Sequence, residues 1–179
     1  MLLSYLLIFC RAIIIFVFLV SSLGKARNIS AFEKAIANFN ILPKRFHRIS
    51  AVLFLVGEFA VVYLVFAGGE LIKFGFLLAV ILLVLFCIAI VSVLLRKYQI
   101  ACNCFGASEK IISAYDFWRN AFLIGFAFLG WRMALVANTT PIALGLFEIG
   151  LIGAVAAIFL TLLTQFREIV RFLSNMNEI

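Results

Sequence analysis

Two cysteines, Cys102 and Cys104, are separated by a single residue in the stretch Tyr98-Gln-Ile-Ala-Cys-Asn-Cys-Phe-Gly-Ala-Ser. Thiols this close can meet without any long-range folding. A disulfide across so small a ring is strained and easily reduced, which suits exchange better than stapling. Arg96, Lys97 and Lys110 flank the pair, with Arg119 further on, and nearby cations favour the thiolate over the thiol. Gly106 permits a sharp turn just after the pair. Ser113 with Asp116 then forms a capping-box start for the next helix. By itself the spacing also fits two loop thiols with no role. A zinc site would need further ligands, and the chain's single histidine, His47, is too few for one and for a bis-histidine haem.

The other two of the four cysteines, Cys10 and Cys87, lie inside apolar stretches, where a thiol behaves as a small hydrophobe. Glu58 is different. It is a carboxylate near the middle of an apolar stretch, and a lone charge there costs about 2.5–3.5 kcal/mol on insertion scales. It is therefore expected to be protonated or paired, with Arg11 the first choice of partner and Arg119 or Arg132 behind it. Such a residue is either an ion pair holding helices together or part of a working site.

The elements that must position these groups follow from composition. Of 179 residues, 66% are hydrophobic and only 13% charged, more apolar surface than a soluble domain of this size can hide. The solvent is lipid. Phe74 to Leu95 carries no charge and is long enough to cross a bilayer core of about 30 Å. Met1 to Gly24 is interrupted only by Arg11, and Ile49 to Gly69 only by Glu58. Tyr115 to Ala137 carries Asp116, Arg119 and Arg132, and Pro141 to Phe166 carries Glu148. The expectation is an all-α integral membrane protein of five spans. The first span lacks the basic leader and small-residue cleavage site of a signal peptide. Gly150, Gly153, Ala154 and Ala157 make the fifth span a face for close helix packing.

Between the first two spans, Ile29, Phe32, Ile36 and Phe39 recur at helical spacing among polar residues. Ser30 with Glu33 reads as its capping box and Pro43 as its end, so residues 29–41 are expected to form a short interfacial helix. Fifteen Lys+Arg against eight Asp+Glu give a net charge of +7, and the excess lies beside membrane segments rather than in any nucleic-acid motif. The first connection holds Lys25, Arg27, Lys34, Lys44, Arg45 and Arg48; the third holds Arg96, Lys97 and Lys110; the tail holds Arg167 and Arg171. The bias puts the amino terminus outside and the carboxyl terminus in the cytoplasm of a multi-pass inner-membrane protein. It also puts Cys102 and Cys104 on the cytoplasmic side, where stable disulfides are rare, so the pair handles reducing equivalents from cytosolic thiols unless the first helix is miscounted.

Cys-Asn-Cys-Phe-Gly after the third apolar helix, followed by Arg119-Asn120 opening the fourth, resembles the MauE branch of the DoxX-like membrane proteins. Arg11 in the first helix, Lys25 just after its end, the segment Phe32 to Pro43 and Glu58 in the second helix line up in order, from about Ser4 to Leu135. Asn103 stands where the family usually has Gly, and Pro141 to Phe166 extends beyond its four-helix core. The resemblance implies a DoxX-like four-helix core over residues 1–137 and an additional span with cytoplasmic tail over 138–179. It also implies thiol–disulfide exchange or electron transfer supporting the maturation of a partner, as in a membrane thiol–disulfide oxidoreductase. Cys102 and Cys104 would be the reacting pair, Arg11, Lys25, Glu58, Arg96, Lys97, Gly106, Arg119 and Asn120 the supporting residues, and a quinone or partner redox protein the electron acceptor. The alternative is a non-catalytic subunit or assembly factor of a larger membrane complex. A transporter using Glu58 as a proton site fits less well, because no broken-helix or repeat pattern appears.

Overall fold

The computed structural model describes residues 2–39, 43–95 and 114–136, together with 150, 153–155, 158 and 161. The described residues are helical, with no strand among them. Helix α1 runs Leu2–Arg27, α2 Ile29–Phe39, α3 His47–Ala67, α4 Leu71–Leu95 and α5 Ala114–Val136, with a 3-10 turn at Lys44–Phe46 before α3. Among the described residues, α1, α3, α4 and α5 are the four helices long and apolar enough to cross a membrane. Four of the five expected spans are therefore present. The fifth, Pro141–Phe166, falls largely outside the described residues.

The four long helices share one core. Cys10, Ile13, Ile14 and Phe18 of α1 meet Val61 and Val65 of α3, with Phe76 and Ala79 of α4 and Leu123 and Ala127 of α5 completing it. Cys10 and Cys87 are buried free thiols, in keeping with their reading as packing residues. The outward faces are apolar as well: Leu53, Val56, Tyr63 and Phe66 of α3 are exposed, an arrangement stable only against lipid.

Small residues set the helix spacing. A Cβ on Gly75 would lie 2.6 Å from Val65 Cγ2 and 2.9 Å from its backbone nitrogen, so α4 rests backbone-close on α3. Likewise a Cβ on Gly130 would lie 2.4 Å from the Phe76 ring. The turn from α3 to α4 uses Gly68 and Gly69 at φ 73° and 57°, a left-handed backbone that side-chain-bearing residues rarely adopt.

Two boundaries differ from expectation. Helix α1 does not stop at Gly24 but continues to Arg27, because α2 folds back and covers its last turn; Lys25 is thus a helical, buried residue. Only Asn28 separates α1 from α2, and it caps the second helix: its Oδ1 accepts from Ala31 N (3.1 Å) and from Ser30 Oγ (2.9 Å). Asn28, not Ser30, therefore takes the N-cap position, satisfying an amide that has no intrahelical partner. Helix α2 is amphipathic, as its spacing indicates. It buries Phe32 and Ala35, and Phe32 packs against Phe54 of α3 at 6.2 Å.

Candidate functional site

Helix α1 and helix α3 run antiparallel, and each end of the pair carries a basic residue from α1. At one end is Lys25. Its Nζ lies 2.5 Å from Glu58 Oε1 and 2.7 Å from Ser21 Oγ, and the Ser21 hydroxyl donates to the same Glu58 oxygen at 3.0 Å. The three polar groups close a triangle. Lys25 and Glu58 are only 2% and 3% exposed, so the pair is sealed inside the bundle. The ammonium also sits over the rings of Phe32 and Phe54, 5.0 and 5.5 Å from their centroids. These aromatic faces attract the ammonium electrostatically. Ser21 and Lys25 can share one carboxylate because residues four apart stand on one helix face. The Cα–Cβ tilt toward the helix N-terminus directs the long lysine side chain back into the bundle.

This corrects the expected partner of Glu58. Arg11 lies nearly four turns before Lys25, about 21 Å along the axis, and so reaches the other end of α3. There its Nε donates to Val65 O at 2.7 Å and its Nη2 to Phe66 O at 2.5 Å. The guanidinium fills the space where Gly68 would otherwise carry a side chain, 3.1 Å from that Cβ position. Arg11 is therefore a helix C-cap, satisfying carbonyls that α3 leaves open and meeting the negative end of its dipole. Arg119 is not the counter-ion of Glu58 either. It is buried on α5 and pairs with Asp116 of its own helix at 3.6 Å.

Asn120, the neighbour of Arg119, does join the Glu58 end. Its amide donates to Asp116 O at 2.7 Å, which fixes the side chain. Ser21, Lys25, Glu58 and Asn120 together line a small cleft of about 30 Å³ between α1, α3, α4 and α5. Phe18, Phe54, Leu82, Leu83 and Phe86 supply its apolar walls. Within it, Glu58 Oε2 is buried with no hydrogen-bond partner among the described residues.

Of the predicted supporting residues, the structure thus brings Lys25, Glu58 and Asn120 to one cleft and sends Arg11 elsewhere. Cys102, Cys104, Arg96, Lys97 and Gly106 lie outside the described residues. Ser21 was missed from sequence. Its signal was available: a hydroxyl one turn before a lysine, on the same face of the helix.

The helix order fixes which end of the bundle each connection uses. Helix α4 runs away from the Arg11 end, and α5 starts back from the Lys25 end. Leu95 and Ala114, which bracket Cys102 and Cys104 in the sequence, therefore both lie at the end where α1 finishes and α3 begins.

No curated protein and no solved structure matches the chain. A family profile does: that of "Methylamine utilisation protein MauE", over residues 3–133, which takes in three of the described spans, the fourth as far as Met133, and the cleft between them. The chain belongs to the MauE family.

Proposed function

We propose that this MauE-family protein is a membrane thiol–disulfide component in which Cys102 and Cys104 alternate between dithiol and disulfide to support the maturation of a partner. The observation that carries this reading is the helix order: Leu95 and Ala114, which bracket the pair in sequence, lie at the bundle end that also holds α2 and the basic residues Lys44, Arg45 and Arg48. Family membership and the cationic neighbours Arg96, Lys97 and Lys110 support it. Closing the disulfide forms one S–S bond and releases two electrons and two protons. A partner's disulfide, reduced to two thiols, or a quinone, reduced to the quinol, takes them up. The reading includes a DoxX-like four-helix core, a fifth span, and an inner-membrane orientation with the basic end and the carboxyl terminus in the cytoplasm.

The test is genetic and chemical together. Cys102→Ser and Cys104→Ser should each abolish function in the native host while leaving the protein in the membrane. Each single variant should also be trappable as a mixed disulfide with its partner, because the resolving thiol is gone. Full function of the double serine variant would make the chain a structural subunit or assembly factor instead.

A further inference from the structure

The two ends of the bundle differ in their outward charge. At the Lys25 end, Arg27, Lys34, Lys44, Arg45 and Arg48 are all exposed, and none is paired with a carboxylate among the described residues. The acids nearby do not cancel them. Glu58 is committed to Lys25 and Asp116 to Arg119, and Glu33 is a single half-buried carboxylate on α2. The opposite end is close to balanced. There Lys73 pairs with Glu70, and Arg11 serves the carbonyls of Val65 and Phe66. Among the described residues, that leaves Arg132 as its exposed, unpaired cation.

The cations also stand at a defined depth. Arg27 closes α1, and Lys44, Arg45 and Arg48 open α3, so they mark the level at which two spans leave the apolar layer. Exposed apolar side chains alternate with them: Leu23, Ile29, Phe46 and Ile49. Ile49 leads directly into the outward stripe of Val52, Leu53 and Val56 along α3. A water-soluble anion would meet the charges but leave these apolar groups bare. A phospholipid meets both, its phosphate at the cations and its acyl chains along the stripe. Between the two cationic groups lies α2, whose hold on the bundle is slight. It has eleven residues, too few to persist as a helix alone, and its buried residues are Phe32 and Ala35. Lys34 stands on its exposed side. We propose that this end is a docking surface for anionic phospholipid headgroups, whose phosphates bridge Lys34 to the flanking arginines and hold α2 down over the Lys25–Glu58 pair. The surface is built from described residues alone and does not depend on Cys102 and Cys104.

The experiment is amide hydrogen exchange, read by mass spectrometry, on the full-length protein in nanodiscs of two compositions. One is phosphatidylcholine alone; the other is an equimolar mixture with phosphatidylglycerol carrying the same acyl chains. Amides of Ile29–Phe39 should exchange at least about 5-fold more slowly in the anionic discs, the effect of one well-placed cation. Raising the salt to about 0.5 M should remove most of that difference, because exposed charges are screened. The triple variant Lys34→Gln/Arg45→Gln/Arg48→Gln should also lose it, in protein that keeps the wild-type thermal midpoint in phosphatidylcholine. Glu70→Gln/Lys73→Gln, at the opposite end, should retain it. The Cys102→Ser/Cys104→Ser double variant should behave as the wild type does, which separates this proposal from the thiol reading. Equal exchange of α2 in the two lipids would overturn the proposal and leave the cations to an acidic segment of a partner protein. A difference that survives salt, or that the opposite-end variant loses as fully as the triple variant, would overturn it as well.

Discussion

The two ends of the α1–α3 pair solve the same problem in different ways. At each, a basic side chain from α1 is carried into an apolar bundle and must find oxygen. Arg11 finds the backbone carbonyls of Val65 and Phe66, oxygens that belong to α3 whatever its sequence. Lys25 finds the side chain of Glu58, an oxygen present only because a carboxylate was placed there. Moreover, Glu58 has a second oxygen that Lys25 does not use, beside a cleft. A cap of the Arg11 type completes a helix end. A buried pair of the Lys25 type stabilises little relative to an apolar packing of equal volume, so its presence points to a role beyond holding the helices together.

The largest effect that would test this contrast comes from splitting the pair. Glu58→Leu or Lys25→Met alone should destabilise by about 3–5 kcal/mol, because each leaves an uncompensated charge buried in the bundle. The double variant Lys25→Met/Glu58→Leu should recover most of that loss. Thermal or denaturant unfolding in detergent measures all three, and a double variant as unstable as the worse single one would break the contrast. Next in size is Arg11→Met. It removes two charge-assisted hydrogen bonds to α3 and should cost about 1.5–3 kcal/mol by the same unfolding assay. No second substitution should rescue it, since the abandoned groups are backbone.

A smaller effect concerns close approach. Gly130→Ala pushes a methyl into the buried Phe76 ring and should cost about 1–3 kcal/mol, whereas Gly125→Ala, which meets nothing within 4 Å, should be neutral or slightly stabilising. Equal effects at the two glycines would show that α5 does not lie on α4 as described. Smallest is Asn28→Ala, which removes the cap on α2 at about 1 kcal/mol. Its Ser30→Ala counterpart should cost less, because Ser30 only supports Asn28.

Much of the bundle was legible in the sequence because lipid imposes a simple rule. An uninterrupted apolar run of sufficient length must be helical, and α3, α4 and α5 appear within a few residues of where the runs predict them. The amphipathic spacing of Ile29, Phe32 and Ile36 was equally direct. What hydropathy does not carry is pairing. It shows that Glu58 needs a partner but not which one, since that depends on helix direction and on how far each side chain reaches. Reading α1 as ending at Gly24 placed Lys25 in a connection and left Arg11 as the nearest candidate. The fold-back of α2 instead extends α1 past Gly24 and buries Lys25 under Phe32 and Phe54. Local capping misled for a related reason: Ser30 and Glu33 fit a motif, but Asn28 occupies the actual break in the helix. The cysteine pair, the most specific chemical signal in the sequence, lies outside the described residues.

The central claim is that Cys102 and Cys104 are a working redox pair at the Lys25 end of the bundle. The most direct measurement is a maleimide gel shift on native membranes, quenched rapidly after treating cells with a thiol oxidant or a reductant. Single-cysteine-pair variants would assign each band. The account predicts that Cys102 and Cys104 move reversibly between the labelled dithiol and an unlabelled disulfide, while the buried Cys10 and Cys87 remain thiols under both treatments. Cys102 and Cys104 remaining thiols throughout, or forming a disulfide that no reductant opens, would contradict it.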